Sequence, residues 1–285
     1  MQGIQGVIDM HMHSAPDDWA RAYNDFELLE AGVREGARAI VLKVHQGCTM
    51  DRAYLCNLYN RRVHGAGNDF TMVGSITLNQ AVGGINPYAV ETALGRGAKV
   101  VWLPTLSARN HLAVNHLDPA GCVDVFQSGR PVPGLVETLR IIRDHDAVLA
   151  TGHLSADEVF AVAELARAEG VRKIVVTHPE SWLVGMCLED QMRAVREYDC
   201  VIERCYCQPI RGGGYRVNLA DNVEAIQKIG YEHILLSTDS GQNDNLHWEL
   251  CMKETVGYLL EHGIGEERVR YMTRTLPARL LGLAT

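Results

Sequence analysis

Residues 8–13 read IDMHMH, an apolar run that ends in two histidines one residue apart. Successive side chains on a strand point to opposite faces, so His11 and His13 share one face of any strand that carries them. Seven further β-branched, apolar runs follow at intervals: AIVLKVH (39–45), FTMVGSITL (70–78), KVVWLPT (99–105), AVLATGH (147–153), KIVVTHP (173–179), CVIERCYC (200–207) and HILLSTDSG (233–241). Between them lie segments of helical periodicity such as NDFELLEAGVREG (24–36) and SADEVFAVAELARAEG (155–170). Several start at Ser, Asn or Asp and end at Gly, and Ser155 with Glu158 has the spacing of a capping box.

Strands apolar on both faces that alternate with helices predict a parallel sheet covered by helices. Eight such units, with no glycine-rich dinucleotide fingerprint after the first strand, predict an α/β fold closed as a (β/α)8 TIM barrel. The 285 residues are read as one barrel domain, 1–285, with no internal repeat or low-complexity linker. Residues 104–134 break the rhythm and predict a long active-site loop after the fourth strand. The stretch 246–283 predicts the eighth helix followed by a C-terminal helical extension.

Composition narrows the function classes. A net charge of -8 argues against nonspecific nucleic-acid binding. No apolar stretch approaches the length of about 20 residues that a membrane span needs. The first residues lack the features of a secretory signal, and the eight cysteines show no disulfide spacing, so a cytoplasmic protein is expected. Its partner is then a small-molecule substrate, and because exposed barrel helices often form dimer contacts, a homo-oligomer is also expected.

The chemistry collects at the strand ends. His11 and His13 end the first strand, His153 the fifth, His178 the sixth and Asp239 the eighth. In a barrel these ends face a common mouth. Imidazoles with a carboxylate suit Zn2+, or Mn2+ or Fe2+, better than Ca2+ or Mg2+. Asp9 and Thr177 neighbour these histidines in sequence and are candidate acceptors for fixing their tautomers.

With HMH after strand one, GH after strand five, THP after strand six and TDSG after strand eight, the whole chain resembles the amidohydrolase superfamily of metal-dependent hydrolases. The stretch HMHSAPDDWAR resembles an uncharacterised subgroup with Pro-Asp after the histidine pair. The resemblance implies that His11, His13 and Asp239 ligate a first metal. It implies that His153 and His178 are ligands, or that His178 is a catalytic electrostatic group, and that Asp239 also serves as the base. Many two-metal members bridge their ions with a carboxylated Lys or a Glu at the end of strand four. Here that strand ends VVWLPT, so one ion is favoured over two. Lys43 after strand two and Glu203 on strand seven are the candidates for an unusual bridge or another catalytic role; a structural ion pair is the alternative for both. Cys200, Cys205 and Cys207 read as packed thiols rather than ligands.

Arg109 and Arg130 in the long loop, Arg211 before the glycines of RGGGYR and Arg21 in PDDWAR are candidate contacts for a small, anionic substrate. Arg21 could instead pair with Asp17 or Asp18. His111 and His116 are further loop candidates. The expected reaction is metal-dependent hydrolysis of a C–N or C–O bond in an amide, lactam or lactone. A mononuclear nonoxidative decarboxylase and a phosphoester hydrolase are the alternatives, and a barrel that keeps metal without catalysis is a further one.

Overall fold

The structure is a computed structural model that describes residues 3–65, 67–209 and 214–284. Each of the eight apolar runs forms a strand: β1 Ile8–His13, β2 Ala39–Lys43, β3 Thr71–Thr77, β4 Ala98–Trp102, β5 Val148–Ala150, β6 Ile174–Val176, β7 Val201–Cys205 and β8 Ile234–Ser237. They are buried nearly throughout, as strands apolar on both faces require.

The chain divides into two compact units: Met1–Val44, Thr49–Gly74 and Arg204–Thr285 form the first, His45–Cys48 and Ser75–Glu203 the second. In the first unit β1 pairs parallel with β2, joining Ile8 to Ala39 and His13 to Lys43 across an irregularity between Asp9 and Met12. There β2 also pairs parallel with β3 from Ala39–Thr71 to Val41–Val73. The chain just beyond β8 runs beside β1: the Asp239 amide donates to the His11 carbonyl at 2.9 Å and the His13 amide to the Ser240 carbonyl at 3.0 Å. In the second unit β4 pairs with β5, β5 with β6 and β6 with β7, all parallel. Both β3 and β7 run through the two units, so the strand order is β1 to β8 in sequence, and the expected (β/α)8 barrel class holds.

The helices obey the end signals. In α1, Asp25–Arg34, the Asn24 side chain accepts from the amides of Phe26 and Glu27 while Glu27 reaches back. The predicted box at Ser155 and Glu158 caps α6, Ala156–Ala168, in the same way. Residues 104–134 are more structured than a bare loop, carrying α4, Arg109–Val114, and a hairpin of Phe126–Gln127 with Arg130–Pro131. The C-terminal helices are α9, Trp248–Glu261, α10, Glu266–Arg270, a π turn at Tyr271–Thr275, and α11, Leu276–Leu281. Among the described residues no helix is long and apolar enough to cross a membrane.

Candidate metal centre

In the first unit three acceptors converge in a buried place. His11 Nε2 lies 3.1 Å and His13 Nε2 3.3 Å from Asp239 Oδ1. The ligand atoms of this trio all lie within 4.8 Å of one another, and all three residues are buried. The strand pattern brings the two histidines to one place, and the loop after β8 delivers the carboxylate. That loop is tightly formed. Asp239 has a φ of 50°, in the left-handed region where a residue with a Cβ is uncommon. At Gly241, with a φ of 111°, an added Cβ would fall 2.0 Å from the His13 carbonyl oxygen, so only glycine lets this turn lie against β1.

The environment sets the charge state. Burial alone would raise the Asp239 carboxyl, but the His11 and His13 imidazoles hold it well below the usual carboxylate range. Burial, helped by the Arg21 guanidinium, keeps the His13 imidazole below its ordinary value, which favours the neutral form that ligates a metal. Lys43 Nζ lies 2.8 Å from His11 Nε2, where an ammonium competes with a metal ion for the lone pair of that nitrogen. Two imidazole lone pairs and a carboxylate oxygen meeting away from water call for a cation, and the donor set fits a divalent metal.

Behind this trio stands a carboxylate that the sequence offers only as a partner for Arg21. The Asp17 side chain is fully buried, and its Oδ2 lies 3.2 Å from His13 Nδ1. The same oxygen accepts from Arg21 Nη2 at 2.6 Å and Nε at 2.9 Å. Burial works against ionisation of Asp17, yet the His13 ring and Arg21 hold its carboxyl far below the usual range. An Nδ1–H of His13 donating to Asp17 leaves Nε2 unprotonated and aimed at Asp239. Asp9 acts differently from the acceptor role expected for it. It accepts from the backbone amide of His11, not from a ring, and also from the Thr238 amide, the Thr238 hydroxyl and Trp248 Nε1. Thr177 likewise accepts from the Gly152 amide at 3.1 Å.

The second unit gathers its own histidines. The rings of His153 and His178 are 5.2 Å apart, those of His45 and His153 6.0 Å, and His111 stacks on His153 at 4.9 Å. His111 Nδ1 lies 2.9 Å from His153 Nδ1, and burial lowers the His111 imidazole to about 4. The pairing could not be read from spacing alone, because α4 within the long loop carries His111 there. His116 is exposed. Gly152 is needed before His153, since an added Cβ would meet the Leu103 carbonyl oxygen at 2.4 Å.

Glu203 is buried on β7 in the second unit. Cys205 Sγ lies 3.9 Å from His11 Nδ1, while Cys200 and Cys207 are buried. Arg109 forms a bidentate pair with Asp124 at 2.6 and 2.8 Å, pinning the long loop to itself. Arg130 is exposed on the hairpin, Arg21 is held by Asp17, and Arg211 lies outside the described residues.

Solved structures share this fold. An organophosphorus hydrolase from Deinococcus radiodurans matches 98% of the chain, over 93% of its own, with a TM-score of 0.64 and 16% identity. A mutant of a phosphotriesterase-like lactonase from the same organism matches 98%, over 97% of its own, with a TM-score of 0.63 and 16% identity. A weak promiscuous lactonase template engineered for organophosphate hydrolysis matches 98%, over 96% of its own, at 0.63 and 17%. No curated protein sequence matches the chain. Residues 6–203 match a family described as a family of unknown function, DUF6282, and the chain belongs to that family.

Proposed function

We propose that this protein is a metal-dependent hydrolase of the amidohydrolase type, acting on a C–N or C–O bond in a small amide, lactam or lactone. The observation that carries the reading is the buried convergence of His11 Nε2, His13 Nε2 and Asp239 Oδ1. The fold likeness to lactonases and organophosphorus hydrolases supports it. Two imidazoles and a carboxylate suit zinc, so a single Zn2+ held by this trio is part of the proposal. When bound, such an ion supplies Lewis-acid polarisation and lowers the pKa of water.

The chain's own groups do the rest. Asp239 takes a proton from the attacking water and returns it to the leaving nitrogen or oxygen. Lys43 Nζ lies 2.8 Å from His11 Nε2, so when a metal takes that nitrogen the ammonium is released to stabilise negative charge that develops on the carbonyl oxygen. Asp17 and Arg21 hold the His13 ring in one tautomer and orientation. The eight free thiols support a cytoplasmic, reducing location.

The test is elemental analysis of protein purified without added metal, followed by pH-stat assays on a panel of lactones, lactams and amides. We expect about one zinc per chain, lost in His11→Ala, and turnover that collapses in Asp239→Asn. Metal content unchanged in His11→Ala would remove the trio from the site. Carbon dioxide release from aromatic or unsaturated acids, or turnover of phosphoesters alone, would replace hydrolysis of carbonyl compounds with one of the alternative reactions.

A further inference from the structure

The helix α2, Met50–His64, buries Ala53, Cys56 and Asn60 on one side and leaves a large apolar face outward. Tyr54 is 60% exposed, Leu55 57%, Leu58 41% and Tyr59 36%. Single exposed apolar residues are ordinary, but four large ones on one helix face mark an interaction surface. Phe26 of α1, itself exposed, widens the patch by packing its ring 5.0 Å from Tyr59.

The order of residues on this face names the partner. At 100° per residue the outward seam is Asp51, Leu55, Leu58 and Arg62, a spacing of four, three and four, with Tyr54 and Tyr59 bordering it on opposite sides. Both charged ends of the seam are exposed. The pattern is a charge palindrome. If a second copy of the helix lies antiparallel about the midpoint between Cys56 and Asn57, Leu55 stands level with Leu58 of the partner subunit. Asp51 then stands level with Arg62 of the partner subunit, and both pairings occur twice. A parallel arrangement would set Asp51 against Asp51 of the partner subunit and Arg62 against Arg62 of the partner subunit. Charge therefore favours one orientation and disfavours the other.

We propose that α2 is the two-fold interface of a homodimer, packing antiparallel on α2 of a second copy. Such an interface is isologous, as closed two-fold dimers require. The aromatic border of Tyr54, Tyr59 and Phe26 supplies residue types enriched in interface cores.

Sedimentation velocity on the full chain across a concentration series tests the proposal. We expect a reversible dimer that becomes a monomer in Leu55→Glu/Leu58→Glu, with an unchanged circular dichroism spectrum. Those residues already face water, so the monomer should keep its fold. Asp51→Arg alone and Arg62→Asp alone should each raise the dimer Kd about tenfold, because each sets like charges level with one another twice. Asp51→Arg together with Arg62→Asp should restore wild-type affinity, which only the antiparallel register allows. A wild-type monomer at about 100 μM, well above the weak end of specific association, would overturn the proposal. A dimer indifferent to the leucine substitutions, or a charge-swapped double variant no better than its parents, would also overturn it.

Discussion

Asp9→Ala tests how the candidate centre is held. The Asp9 side chain is wholly buried, and it joins three parts of the chain. Its Oδ1 accepts from the His11 amide at 3.0 Å and the Thr238 amide at 3.2 Å; its Oδ2 accepts from the Thr238 hydroxyl at 2.6 Å and Trp248 Nε1 at 2.9 Å. Truncation orphans the indole N–H and two backbone amides, whereas the Thr238 hydroxyl keeps Ser240 Oγ at 2.8 Å. Each orphaned buried donor costs about 1–3 kcal/mol. Against this stands relief from burying the carboxyl, which burial pushes up to about 6 although four donors pull it back. Keeping an ionised carboxylate there, when its pKa is about 6 instead of the ordinary 3.8, costs about 3 kcal/mol at neutral pH. The net loss is about 3 kcal/mol, or a Tm lower by about 6–10 °C. Asp9→Asn keeps an oxygen for the two backbone amides but sets an amide NH2 against Trp248 Nε1, so it should recover about half of that loss. Calorimetry and urea unfolding of metal-free protein measure both. A loss below about 1 kcal/mol for Asp9→Ala, or an Asn variant weaker than the Ala variant, would falsify the view that Asp9 ties these three parts of the chain together.

Asp17→Ala should lower metal affinity about 10–100-fold, read by chelator competition with the spectrum of the folded state unchanged, because the His13 ring loses the group that orients it. Gly241→Ala should cost about 3–5 kcal/mol and empty the centre, since its Cβ collides with the His13 carbonyl; near-wild-type Tm would show that the turn can move. Tyr23 donates to Glu249 at 2.6 Å, and Glu249, though burial opposes its ionisation, is held below its ordinary value by Tyr23. A depressed carboxyl adds stability above the unfolded value of 4.5 and loses it as pH falls through the folded value. Tyr23→Phe should therefore lose about 1–2 kcal/mol at neutral pH, and the gap to wild type should narrow below about pH 4.5; a gap constant from pH 7 to 3 would contradict this.

The strands and the trio were legible because both depend on periodicity and on what ends a strand. Burial on two faces makes runs such as IVV at 174–176 uniformly apolar. A polar ligand at the end of such a run stands out, as His13 and Asp239 do. What escaped was set by contacts distant in sequence or hidden in polar segments. The sequence offers Asp17 only as one of two partners for Arg21; the fold shows that carboxylate buried and set against His13 as well. Arg109 looked available for a substrate, but Asp124, fifteen residues on, already engages it. Asp9 was read as a partner for a ring, because spacing cannot show that Thr238 and Trp248 approach it from more than two hundred residues away. The helix α4 lies among glycine- and proline-rich neighbours and is only six residues long, too short for periodicity to reveal.

The first unit is assembled from three separate lengths of chain, and its candidate metal trio takes two members from β1 and the third from position 239. On the ribosome, β1 is therefore made early and kept waiting. Its hydrogen-bonding edge toward residues 238–240 has no companion until more than two hundred further residues have been synthesised. During that interval an apolar strand with one open side is a target for wrong pairing, so nascent chains of this protein should lean on chaperones that shield exposed strands. The same lag bears on the candidate centre: a metal ion could meet all three groups only once Asp239 has been made, and a chain cut short before it would hold two histidines and no trio.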